Sequence, residues 1–79
     1  MTEQQVSQQI SATNDLLAMT DENLKTIKSR KLTAGQQDTV DQIKNYMEQS
    51  RSASRNGDVQ RAYTLANKAR MLSGDLVKH

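Results

Sequence analysis

Asn56-Gly57-Asp58, set between Ser52-Ala53-Ser54-Arg55 and Val59-Gln60-Arg61-Ala62-Tyr63, decides how this 79-residue chain folds. Glycine reaches the left-handed conformation that closes a helix, and aspartate can cap the first turn of the next one. One helix therefore stops just before Asn56 and another starts at Asp58, and so short a link makes the two antiparallel neighbours.

Upstream of that turn, Val40, Ile43, Met47 and Ser50 share a helical face, with Tyr46 and Ala53 beside it. The spacing predicts a second helix over about residues 34–55, with an apolar stripe that fades toward Ser50, Ser52 and Ser54. Thr33-Ala34-Gly35-Gln36 is a capping-box pattern for its start. Downstream, Val59, Ala62, Leu65, Ala66, Ala69, Leu72 and Leu76 predict a third helix over about residues 58–77, which Gly74 could fray near its end. Its alanines permit close approach to a neighbour.

The remaining segment carries Val6, Ile10, Thr13, Leu17, Thr20, Leu24 and Ile27 at alternating steps of four and three. That pattern is the seam of a long first helix, about residues 3–30. Thr13 and Thr20 interrupt the seam with hydroxyls, and Thr20-Asp21-Glu22-Asn23 offers an alternative break. Lys28, Arg30 and Lys31 suit a helix C-terminus and place the first turn near residues 31–33. The expected fold is all-α: a three-helix up-down-up bundle forming one domain over residues 1–79. The first stripe serves equally for folding back on the hairpin or for a coiled coil with another chain.

Composition agrees with this reading. Proline is absent, glycine occurs three times, and strand-favouring residues are scattered rather than alternating. With neither Trp nor Phe, the core must be thin, which points to marginal stability or to help from a partner or second copy. Eleven basic and nine acidic residues give a net +2, too even a balance to make a dense cationic field. No apolar run approaches the roughly 20 residues of a membrane span, and the N-terminus lacks the parts of a signal peptide, so the chain reads as soluble.

Catalytic chemistry finds no constellation to rest on, and the expectation is that the chain is not an enzyme and takes no cofactor, metal or small-molecule substrate. Cysteine is absent, which removes disulfides, thiolate metal sites and a thiol nucleophile. His79 is the only histidine, and no second imidazole or thiol can complete a metal site with it. Asp21-Glu22 and Asp38-Asp41 stand near expected helix starts, where negative charge complements the dipole. Gly35 and Gly57 lack the spacing and the following Lys and Ser/Thr of a phosphate loop.

Gly57-Asp58-Val59-Gln60-Arg61-Ala62-Tyr63 with Ala66 and Ala69, preceded by Tyr46 and Ala53, resembles a single tetratricopeptide-like hairpin over residues 39–77. No second copy follows, so the resemblance implies hairpin geometry and not the groove of a stacked array. Gln36-Gln37-Asp38-Thr39-Val40, Ile43-Lys44-Asn45-Tyr46 and the stretch from Gly57-Asp58 to Leu76 also look like the helical C-terminal region of uncharacterised bacterial cell-envelope lipoproteins. This second resemblance implies a periplasmic or cell-envelope setting, with the cytoplasm as the alternative, and assigns no activity. The lipidated cysteine of such proteins is missing here.

The expected function is therefore that of a non-catalytic protein-interaction or structural module, acting on a protein partner or by self-association. Leu17, Leu24, Tyr46 and Tyr63 are its candidate interface residues, on the first seam and on the hairpin. The competing reading is a basic nucleic-acid-binding accessory domain using Arg51, Arg55 and Arg61 around the second turn. It is the weaker of the two, because charge runs usually form a solvated polar face, and helix-turn-helix recognition ranks lower again, since the third helix offers an alanine-rich packing face with mixed charges in place of base-reading side chains.

Overall fold

Each helix begins at a side chain able to satisfy backbone N–H groups that have no partner within the helix. In the computed structural model, which describes residues 1–78, three helices follow in order: α1 (Glu3–Lys28), α2 (Ala34–Arg55) and α3 (Val59–Lys78). His79 lies outside the described residues. Thr2 and Gln5 form a capping box at α1, and Thr33 and Gln36 form the expected one at α2, where the Gln36 N–H donates to Thr33 Oγ1 over 3.1 Å. At α3 the Arg61 N–H donates to Asp58 Oδ1 over 3.2 Å, so Asp58 is the cap and the helix proper begins one residue later than expected.

The turn at Asn56-Gly57-Asp58 closes as a Schellman motif: the Asp58 N–H donates to the Ala53 carbonyl over 2.8 Å and the Gly57 N–H to that of Ser54 over 3.1 Å. Gly57 has φ +79°, the left-handed region, and a Cβ there would meet no atom within 4 Å. The cost of a side chain is therefore backbone strain alone. Gly57→Ala is expected to lower stability by about 1 kcal/mol, read as a fall in the urea midpoint with unchanged slope; an unchanged midpoint would show that the turn re-forms by another route.

Helix α1 ends at Lys28, two residues before the expected boundary. Ser29 is its C-cap, and the Arg30 N–H donates to the Ile27 carbonyl over 2.9 Å, a tightening three-residue bond that stops the α-helical ladder. No break occurs at Thr20: its hydroxyl donates to the Leu16 carbonyl over 2.7 Å, and α1 continues through it.

Chain direction follows from two long-range bonds. Asn23 Nδ2 donates to Ser73 Oγ over 3.0 Å and Arg30 Nη1 to the Val77 carbonyl over 2.9 Å, so the C-terminal halves of α1 and α3 lie side by side and the two helices run parallel. Ser50 Oγ donates to the Ala62 carbonyl over 2.7 Å, which pairs the end of α2 with the start of α3 in antiparallel sense. The result is the up-down-up bundle, with principal extents of 45 × 17 × 14 Å. Gln9 precedes Asn23, and Val59 precedes Ser73, by the same fourteen positions. The first turns of α1, before Gln9, therefore extend past the start of α3.

Helix α3 is the centre of the molecule. It packs along both α1 and α2, whereas α1 and α2 meet only sparsely. Ala62, Leu65, Ala66, Ala69, Ser73 and Leu76 are buried on it, mostly small side chains that let two neighbours close in. The apolar cluster joins Ile27 of α1, Val40, Ile43 and Met47 of α2, and Ala69 and Leu76 of α3. Thr13, Thr20, Ser50 and Ser73 complete the interior, and each hydroxyl donates to a backbone carbonyl. No buried side-chain nitrogen or oxygen among the described residues lacks a partner, so these polar groups are buried without the penalty of an unmade hydrogen bond. Among the described residues no helix is long and apolar enough to cross a membrane.

Candidate interaction groove

Because α1 and α2 are both held by α3 and scarcely by each other, a valley opens between them. Leu24 and Ile27 of α1, Leu32 of the first turn and Val40 of α2 form the apolar part of its lining, around an open hollow of about 530 Å3. That volume is within the range of ligand-binding clefts, about 300–1,000 Å3. Ile27 and Val40 are also part of the core, so the bottom of the valley is formed by the core itself.

The banks of this groove are cationic. Lys25, Lys28, Arg30 and Lys44 line it together with the single carboxylate Asp21 and the neutral Gln37. Its lining thus carries a net +3, whereas the whole chain carries +2, and the rest of the molecule sums to −1. Lys25 Nζ lies 3.4 Å from Glu22 in an ion pair about three-quarters exposed, of the kind that contributes little and exchanges readily. Lys28 and Lys44 make no ion pair among the described residues. Arg30 is held at one end of the groove by its bond to the Val77 carbonyl.

A second depression, about 650 Å3, runs between α1 and α3 and exposes Met19 and Met71. Glu22 and Asp75 there balance Arg70 and Lys78, so it selects for no charge. A third, smaller hollow, about 340 Å3, lies at the α2–α3 turn among Gln49, Ser52, Ala53, Asn56, Asp58 and Arg61.

The residues singled out by sequence are dispersed among these features. Leu17 and Leu24 are half-buried and pack on the core, so this part of the first seam is used within its own chain, whereas Ile10 of the same seam is exposed; Leu24 alone of the four also lines the α1–α2 groove. Tyr46 packs on the core with Lys68 Nζ 5.9 Å from its ring centre, a contact of about 0.5–1 kcal/mol at an exposed site. Tyr63 is half-buried on α3. Of the three arginines, Arg51 is exposed, Arg55 Nη2 meets Glu48 at 3.3 Å, and only Arg61 enters the hollow at the turn, alongside Asp58.

Sequence reasoning found Lys28, Arg30 and Lys31 as a basic run but missed that Lys25 and Lys44 join two of them across an apolar floor. Lys25 and Lys28 stand one turn apart on α1, a legible pairing. The contribution of Lys44 depends on how α1 and α2 splay, which no local pattern encodes. Comparison of the chain with protein-family models, with curated proteins and with solved structures returned no match.

Proposed function

We propose that this chain is a non-catalytic protein-interaction module that receives a segment of a partner protein in the groove between α1 and α2. The observation that supports the reading is the unfilled apolar valley between two helices that α3 holds apart. In helical proteins such a valley is the position a fourth helix takes. The resemblance to cell-envelope lipoproteins would place such a module in the bacterial envelope. The nucleic-acid reading has thinner support, since Arg55 is engaged by Glu48 and Arg61 lies beside Asp58.

Sedimentation equilibrium over a wide concentration range, on the native chain and on Leu32→Asp, separates a foreign partner from a second copy. Leu32 is half-buried at the groove and follows the end of α1. A folded monomer is expected for both proteins at low and high salt. A native dimer that the Leu32→Asp change dissociates would make another copy of the chain the occupant, and would overturn the reading of a foreign partner.

A further inference from the structure

The two banks of the groove differ from the rest of the surface in sign as well as in shape. We propose that the groove accepts an acidic amphipathic helix of a partner protein, seating apolar side chains on Leu24, Leu32 and Val40 and turning carboxylates toward Lys28 and Lys44. The inference rests on the protein-docking reading and adds the chemistry of the partner.

Charge complementarity argues for the acidic character. A partner crossing the groove meets Lys25 and Lys28 on one bank, Lys44 on the other and Arg30 at the end, opposed by Asp21 in the lining and by Glu22, which pairs with Lys25. Lys28 and Lys44 have no ion pair to give up among the described residues, so approach of a carboxylate to either costs no existing pair. A basic segment would set like charges against both banks, which disfavours the wrong partner as effectively as attraction favours the right one.

Secondary structure argues for a helix. Every regular element among the described residues is helical, so there is no sheet edge to which an extended peptide could add a strand. The apolar floor is contributed by two antiparallel helices at Leu24, Ile27 and Val40. Side chains spaced at i, i+3, i+4 and i+7 on a third rod are the pattern that fits such a seam.

The test uses fluorescence anisotropy with three labelled helical peptides of about 18 residues that share one leucine stripe and carry flanking Glu, Gln or Lys. The proteins are the native chain, Lys28→Glu/Lys44→Glu, the milder Lys28→Gln/Lys44→Gln, and Arg51→Glu/Arg55→Glu as a surface control. Circular dichroism establishes that each is folded. The native chain is expected to bind the Glu peptide about tenfold more tightly than the Gln peptide at low salt, with the difference shrinking as salt rises.

Lys28→Gln/Lys44→Gln should abolish that preference, and the double reversal should transfer it to the Lys peptide, a swap that mere destabilisation would not produce. Equal binding of the Glu and Gln peptides would overturn the acidic partner while leaving the docking reading intact. No binding of any peptide would overturn both. Binding of anionic vesicles or of a single-stranded oligonucleotide that the groove variants abolish, with no peptide bound, would assign the cations to lipid or nucleic acid and overturn the proposal. Loss of Glu-peptide binding in the arginine control alone would place the contact elsewhere and overturn it as well.

Discussion

Replacing Ile43 by alanine is expected to remove about 2–5 kcal/mol of stability, through the lost transfer of the side chain and the void it leaves. Ile43 is 0% exposed and stands on α2 in the cluster that joins all three helices. Few neighbours can expand into the gap. The chain has no Phe or Trp, and much of the facing α3 surface is alanine, which has no rotamer with which to fill space. Net stabilities of domains are about 5–15 kcal/mol and small domains lie low in that range, so the variant should populate unfolded chain visibly at 25 °C. Urea denaturation followed by far-ultraviolet circular dichroism checks this as a fall in midpoint at unchanged slope. A loss below about 1 kcal/mol would mean that the site collapses around the alanine as few buried sites do.

The importance of alanine in the core bears on how much the sequence reveals. Asn56-Gly57-Asp58 and Thr33-Ala34-Gly35-Gln36 were legible because capping is local chemistry: the residues that satisfy the backbone are within five positions of the groups they satisfy. The same local chemistry predicts a box at Thr2 and Gln5, which periodicity alone does not find. The hydroxyl residues mislead in the opposite direction. Thr13 and Thr20 read as interruptions of the first seam, yet they and Ile27 are its most buried positions, seven residues apart.

Ser50 reads as the fading of the second stripe, yet it is wholly buried and bonds to the Ala62 carbonyl across the interface. In each case a short hydroxyl side chain finds a backbone acceptor and so occupies an interior site that hydropathy assigns to solvent. A small residue there also brings the neighbouring backbone within hydrogen-bond range, which a leucine would prevent. The groove between α1 and α2 was hidden for a different reason. It is the space left when two helices are held by a third, and its cationic banks come from residues sixteen positions apart at Lys28 and Lys44.

Close approach along α3 leads to the converse substitution, Ala69→Leu. Ala62, Ala66, Ala69 and Ser73 recur at steps of four, three and four, and all are buried. A leucine at position 69 inserts atoms where the structure has no space, since Ala69 is 0% exposed and belongs to the same cluster as Ile43. Overpacking of this kind costs about 1–3 kcal/mol, occasionally more, and the upper end is expected because α3 has a neighbour on two sides and cannot retreat from one without pressing on the other. The measurement that identifies the mechanism is the double variant Ile43→Ala/Ala69→Leu. The leucine can then occupy the volume the isoleucine vacates, and the pair should be more stable than the sum of the single losses by about 0.5–3 kcal/mol. Strict additivity would show that the two side chains do not share one packing site. Recovery confined to this pair, and absent when Ala69→Leu is combined with Gly57→Ala at the turn, would establish that α3 is wedged between its neighbours by volume and not merely laid against them.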